Sequence, residues 1–110
     1  MRLNHIHFAV RDLPAAIGWL EQMWDVRPTF RNERMAVIPF GSIVLILDSA
    51  DQESIATVGF ESEDCDSDYG RVIGKGAIAE EAPSDKPWGA RTAYIKGPGG
   101  LRFEIEQPLR

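Results

Sequence analysis

The sequence predicts an α+β domain built from two copies of one βαβββ module. Three observations lead there. A strand-like alternation and a helical apolar stripe follow one another in the first half, and the second half opens on a similar segment 52 residues later. A chain of 110 residues suits one compact domain rather than two independent ones. With 44% hydrophobic and 26% charged residues, the composition is that of an ordinary globular protein and excludes disorder, collagen and coiled coil.

The first module covers about residues 1–50. In Leu3–Val10, Ile6, Phe8 and Val10 point one way while His5, His7 and Ala9 point the other, so this is a strand with one apolar face. Asp12 caps a helix whose first turn tolerates Pro14. Leu13, Ile17, Leu20 and Trp24 recur at steps of four, three and four and form one apolar stripe. The helix fades near Asp25, with Pro28 beyond it. Strand-like pieces follow around Thr29–Arg31, Met35–Pro39 and Ser42–Leu47, punctuated by Asn32-Glu33 and Gly41.

The second module covers about residues 53–110. Its first strand, Ile55–Glu61, sets Phe60 on Phe8 and Asp64 on Asp12. A short, weak helix is expected from about Ser67 to Lys75, with Gly70 inside and Gly74 and Gly76 at its end. Strands are expected near Ile78–Glu81, Arg91–Lys96 and Leu101–Glu106. Aligning Gly41–Leu45 on Gly100–Glu104 gives an offset of 59, which implies seven extra residues, placed in a loop over Ala82–Trp88.

Several function classes fall away. The net charge is −5 and no run of Lys or Arg occurs, so nucleic-acid binding is not expected. The longest aliphatic run, Ile43–Leu47, is too short to cross a bilayer. Polar residues interrupt the N-terminus, so a signal peptide is not expected and the expected location is cytoplasmic. A single cysteine, Cys65, excludes an internal disulfide and multi-cysteine metal motifs. Glu61, Glu63, Asp64, Asp66 and Asp68 surround it with negative charge, which opposes the thiolate a nucleophile needs.

Asp64-x-Asp66-x-Asp68 is not a calcium loop. Its sixth position is Tyr69 rather than Gly and its twelfth is Lys75 rather than Glu, so these carboxylates begin a helix instead. Gly97-Pro98-Gly99-Gly100 leads into a strand and reads as a turn, not a phosphate cradle. No Gly-x-Ser-x-Gly elbow is present.

The opening Leu3-Asn4-His5-Ile6-His7-Phe8-Ala9-Val10-Arg11-Asp12-Leu13 resembles the vicinal oxygen chelate superfamily of glyoxalases, bleomycin-resistance proteins and extradiol dioxygenases. Its closing turn and strand, with an inward Glu, resemble Gly97-Pro98-Gly99-Gly100-Leu101-Arg102-Phe103-Glu104-Ile105. The resemblance implies curled mixed sheets around a U-shaped cavity, usually completed in a homodimer, with helices outside and His5 and His7 facing the cavity. Metal-using members take ligands from the first and last strand of each module. Those positions align here with His5, Thr57, Leu45 and Glu104. Only His5 and Glu104 carry donors suited to a divalent metal. A catalytic centre keeps three protein ligands and an open position. His7 is a candidate third ligand, although neighbouring same-face residues on a strand point nearly parallel.

Other candidates follow from residue type. His5 and His7 titrate near neutrality and suit acid–base work; equally, they suit a wet cavity edge. Glu104 shares a strand face with Arg102 and Glu106, either as a binding carboxylate or as an ion-pair partner of Arg102. Trp88, with Gly89 before the penultimate strand, and Phe40 before a turn offer flat stacking surfaces or loop anchors. The reading these features favour is a homodimeric protein that binds a small organic molecule through His5, His7, Phe40, Leu45, Thr57, Trp88, Arg102 and Glu104. No catalytic metal is expected, and the role is sequestration of a toxic or cationic aromatic compound. The alternative is a metal-dependent lyase, isomerase or dioxygenase-like enzyme using His5 and Glu104. A non-catalytic interaction module has no positive support.

Overall fold

The alternation at the N-terminus produces strand β1 (Arg2–Val10), whose Ile6, Phe8 and Val10 pack with Leu13 and Ile17 of helix α1 (Leu13–Trp24). The structure is a computed structural model that describes residues 1–54, 56–97 and 102–110. Ile55 and the Pro98-Gly99-Gly100-Leu101 stretch, where the sequence predicts a strand start and a turn, lie outside the described residues. Asp12 caps α1 by accepting from the Ala15 amide at 3.0 Å, and Asp25 closes it in the left-handed conformation (φ 56°). Strands β2 (Phe30–Arg31), β3 (Met35–Phe40) and β4 (Ile43–Ser49) complete the first module. Its sheet runs β2-β3-β4-β1, with β1 parallel to β4 and the other pairs antiparallel.

The second module repeats the plan with β5 (Thr57–Glu61), α2 (Cys65–Gly74), β6 (Ile78–Lys86), β7 (Ala90–Lys96) and β8 (Arg102–Pro108). Its sheet runs β5-β8-β7-β6, with β5 parallel to β8. The α+β class and the duplicated βαβββ order expected from sequence are therefore observed. Residues 5–56 form one compact unit, and residues 57–110 with 1–4 form the other.

The two cores differ in size. Val10, Leu13, Ile17, Ala36, Ile38, Leu45 and Leu47 cluster in the first, whereas among the described residues the buried cluster of the second is Cys65, Ala93 and Ile105, with Tyr69 and Val72 against them. Polar pins supplement the thinner core. The Cys65 amide donates to Gln107 Oε1 at 2.9 Å, and Arg91 forks onto Asp66 at 3.1 Å while reaching Asp85 at 2.9 Å. The carboxylates of the Asp64-x-Asp66-x-Asp68 motif are thereby accounted for. Asp64 caps α2 through the Ser67 amide, Asp66 holds Arg91, and Asp68 accepts from Ser62 and Arg71.

Three expectations are corrected. Helix α2 starts at Cys65, two residues earlier than the weak apolar pattern places it, because the cap is Asp64. Ala82–Lys86 is not loop but the second half of β6, and only Pro87-Trp88-Gly89 turns. The extra length lies in a longer β6, and part of it is taken up by register irregularities between Ala79 and Glu81 and between Glu81 and Ser84. Pro83, which has no N–H to give a ladder, falls in that irregular stretch of an edge strand.

The third correction concerns register. His5 lies opposite Val44 as Thr57 lies opposite Arg102, so the last strands correspond at an offset of 58 rather than 59. A one-residue slip exchanges the faces of a strand. Glu104 therefore corresponds to Ile46, while Leu45 matches Phe103 and sits 8% exposed in the core beside α1.

Candidate functional site

The side of the second sheet that faces away from Cys65 and Ile105 is polar, and its residues stand in register across three strands. Thr57–Arg102–Lys96, Gly59–Glu104–Tyr94 and Glu61–Glu106–Thr92 form successive rows over β5, β8 and β7. Glu104 is only 7% exposed, and the Tyr94 hydroxyl donates to its Oε2 at 2.5 Å. Gly59 puts no side chain beside it on β5. Burial, reinforced by the hydrogen bond to Glu104, raises the Tyr94 phenol above its ordinary value, so Tyr94 stays protonated as the donor.

Arg102 does two things at once. Its guanidinium carbon lies 3.9 Å from the Tyr94 ring centroid, and its Nε donates to Glu80 on β6. A planar cation stacked on an aromatic ring is held flat and keeps one face outward. Next to it on β6, Glu81 accepts from Lys86, which holds the Glu81 carboxyl below the usual range. The result is a carboxylate of fixed orientation beside a rigid, stacked platform. Such a surface takes hydrogen-bond donors and flat ligands.

The other predicted residues are placed as follows. In the first module, His5 and His7 project from the side of β1 opposite the core; His5 is 6% exposed, and His7 Nε2 is bonded to Asp48 on β4. They share that side with Val37, Val44 and Ile46. Leu45 and Phe40 do not. Leu45 is core, and Phe40 packs against the same core with its ring edge-on to Trp24 at 6.1 Å. Of the eight expected binding residues these two are withdrawn, because register turns both toward the helix. Trp88 is 62% exposed at the β6–β7 turn. Thr57, Arg102 and Glu104 share one sheet face, as their period-two spacing requires.

Tyr94 and Glu80 were not read from the sequence as site residues. The available signal was the polar alternation Thr92, Tyr94, Lys96 on the strand preceding Glu104. Which of them meets Glu104 depends on a single residue of turn length, and a slip of one would set Tyr94 against Phe103.

The donor set does not fit a three-ligand metal centre. Thr57 and Ile46 occupy two of the four strand positions, and among the described residues no group of three or more His, Cys, Asp or Glu is placed to hold an ion. The Cys65 thiol is buried and pushed up to about 11 by that burial and by Asp66, so it offers no thiolate.

Paired βαβββ modules, each with a helix on one side of a mixed sheet and a face of chemically varied residues on the other, define the class of protein. The chain belongs to the Glyoxalase/Bleomycin resistance protein/Dioxygenase superfamily, which its sequence matches over residues 2–105. Among solved structures it resembles a variant of Streptomyces coelicolor methylmalonyl-CoA epimerase in complex with 2-nitronate-propionyl-CoA, at TM-score 0.74 and 19% identity, covering 100% of this chain and 99% of that one. Methylmalonyl-CoA epimerase from Mycobacterium tuberculosis aligns at TM-score 0.70 and 19% identity, over 99% and 89% of the two chains. A structure described as NAD-dependent benzaldehyde dehydrogenase from Legionella pneumophila aligns at TM-score 0.75 and 14% identity, over 96% and 98%. No curated protein matches the chain in sequence. Among the described residues no helix is long and apolar enough to cross a membrane.

Proposed function

We propose that this protein binds a small organic molecule on the polar face of its second sheet, without a resident divalent metal. The observation that carries the reading is the buried Glu104 carboxylate, fixed by the Tyr94 hydroxyl at 2.5 Å. A buried carboxylate concentrates negative charge at a fixed point of this face, and a ligand that carries hydrogen-bond donors or positive charge is drawn to it. Glu61 and Glu106 on the same face, and a net charge of −5, favour a cationic ligand; the Arg102–Tyr94 stack favours a flat one. The ligand class is therefore a cationic or donor-rich aromatic compound, and the role sequestration in the cytoplasm. That Thr57 offers only a weak hydroxyl ligand and Ile46 none supports binding without a metal.

A second reading is enzymatic: a metal-dependent lyase, isomerase or dioxygenase-like enzyme using His5 and Glu104. Its support is the fold shared with proteins described as methylmalonyl-CoA epimerases. Titration calorimetry of the tag-free chain against a panel of cationic and neutral aromatic compounds separates the two. Saturable binding by cationic members, lost in Glu104→Gln, is expected. Stoichiometric divalent metal in protein purified without a tag, lost on His5→Ala, would overturn the metal-free reading. No binding across the panel would remove the ligand class.

A further inference from the structure

The polar face of the second sheet changes sign along its length. At one end Lys96 and Arg102 are register partners across β7 and β8, two cations directly opposite on one face. Cross-strand partners hold their Cβ atoms about 5 Å apart, and like charges so placed repel. Only part of that charge is met within the sheet. Arg102 gives its Nε to Glu80 and one flat side to the Tyr94 ring, while its terminal Nη groups make no hydrogen bond among the described residues. Lys96 is exposed and enters no ion pair among them. Thr57, the third member of the row, is 8% exposed, and its hydroxyl makes no hydrogen bond among the described residues. Two residues along the strands, about 7 Å away, Glu104 reverses the sign, and Glu61 and Glu106 follow it.

We infer that the Thr57–Arg102–Lys96 row seats a carboxylate of the ligand, so that the molecule bound on this face is zwitterionic. Its carboxylate lies at this row and its amine at Glu104. The inference rests on the small-molecule reading above and adds a second, opposite charge to it. A guanidinium already engaged at Nε keeps its two Nη groups as a fork, which matches the two oxygens of a carboxylate. The Lys96 ammonium stands across from that fork, and the Thr57 hydroxyl is a third donor on the neighbouring strand. Charge selects a carboxylate over a phosphate. Glu80 offsets one of the two cations, and a chain of net charge −5 opposes a dianion more than a monoanion. The spacing of the rows selects a ligand whose two charges sit at opposite ends of a rigid ring.

The test is titration calorimetry of the tag-free chain with 4-(aminomethyl)benzoate, benzylamine and 4-(aminomethyl)phenylphosphonate. The zwitterionic benzoate should bind about tenfold or more tighter than benzylamine, the return of one charge-assisted contact. Lys96→Gln and, independently, Arg102→Gln should each shrink that ratio about threefold or more, with circular dichroism checking that both fold. Lys75→Gln, which removes an equal charge at the end of α2, should leave the ratio unchanged. Benzylamine binding as tightly as the benzoate would overturn this inference and leave the small-molecule reading standing. No binding by any of the three would remove both. A phosphonate tighter than the benzoate would overturn the carboxylate class. A full advantage persisting in folded Lys96→Gln and Arg102→Gln chains would overturn the placement.

Discussion

Replacing Tyr94 with Phe removes the oxygen that donates to Glu104. The hydroxyl donates to a carboxylate that is 7% exposed, at 2.5 Å. A hydrogen bond to a charged acceptor contributes about 1.5–3 kcal/mol, and an acceptor left short of its donor in a buried site loses that amount. The phenyl ring remains to stack beneath Arg102, so packing changes little and the cost is that of the bond: about 2 kcal/mol. In a domain of 110 residues this lowers Tm by about 8–12 °C. Urea unfolding at pH 7 should show the midpoint falling with the slope unchanged, which marks a loss of stability rather than of compactness. In the Tyr94→Phe background, Glu104→Gln should cost less than it does alone, since the partners are coupled. A Tyr94→Phe chain within about 0.5 kcal/mol of wild type, with additive double-mutant energies, would refute the claim that this bond orders the site.

Other expectations are checked by similar means. Leu45→Ala should cost about 2–5 kcal/mol as a core deletion while leaving ligand affinity unchanged, whereas Ile46→Ala, on the open face, should cost less; chemical denaturation with calorimetry reads both. Asp12→Ala should cost about 1 kcal/mol through loss of the α1 cap, seen as a lower thermal midpoint. The Cys65 thiol ought to resist alkylation at pH 8 in the folded chain and react once unfolded, since its value is pushed from 9.0 up to about 11. Because the folded state raises both Cys65 and Tyr94, their neutral forms stabilise the fold fully below pH 9, and that contribution is lost as pH rises through 11 and beyond. Thermal midpoints should thus decline in alkali, and Cys65→Ala should flatten the fall between pH 9 and 11.

Which parts of this structure were legible in the sequence depends on how local their causes are. The alternation in β1, the Asp12 cap and the Leu13, Ile17 and Leu20 part of the helical stripe are set by residues within one or two turns of each other and appear where the pattern puts them, while Trp24 at the helix end is 58% exposed. The period-two grouping of Arg102, Glu104 and Glu106 is equally local. Pairing is not. Alignment of a glycine turn with a glycine turn put Leu45 on Glu104, but hydrogen-bonded register puts Ile46 there, and one residue of error exchanges a cavity position for a core position. The same limit hid Tyr94, whose meeting with Glu104 is fixed by the length of the β7–β8 link and not by either strand's composition. Ala82–Lys86 was misread for another reason: Pro83 and the polar run Ser84-Asp85-Lys86 are typical of loops, yet at a bulged sheet edge neither costs a strand much.

The corrected register also explains how the two modules came to differ in chemistry without differing in fold. The core-side row Phe8–Leu47–Ala36 of the first module is repeated almost letter for letter as Phe60–Ile105–Ala93 in the second. These positions face a helix, where a lost methylene leaves a cavity and an added one forces strain, so size is tightly constrained. The row behind it has diverged completely. His7–Ile46–Val37 in one module stands against Gly59–Glu104–Tyr94 in the other. Nothing about holding a helix to a sheet constrains that second row, and its residues are free to answer to whatever lies on the open side. An apolar row tolerates substitution by any residue of similar bulk, whereas a buried carboxylate is tolerated only with its donor in place. Glu104 and Tyr94 are therefore coupled positions. Under the proposed function, the polar row of the second module is the one that would meet a ligand, while His7 on the first module's open face is tied to Asp48.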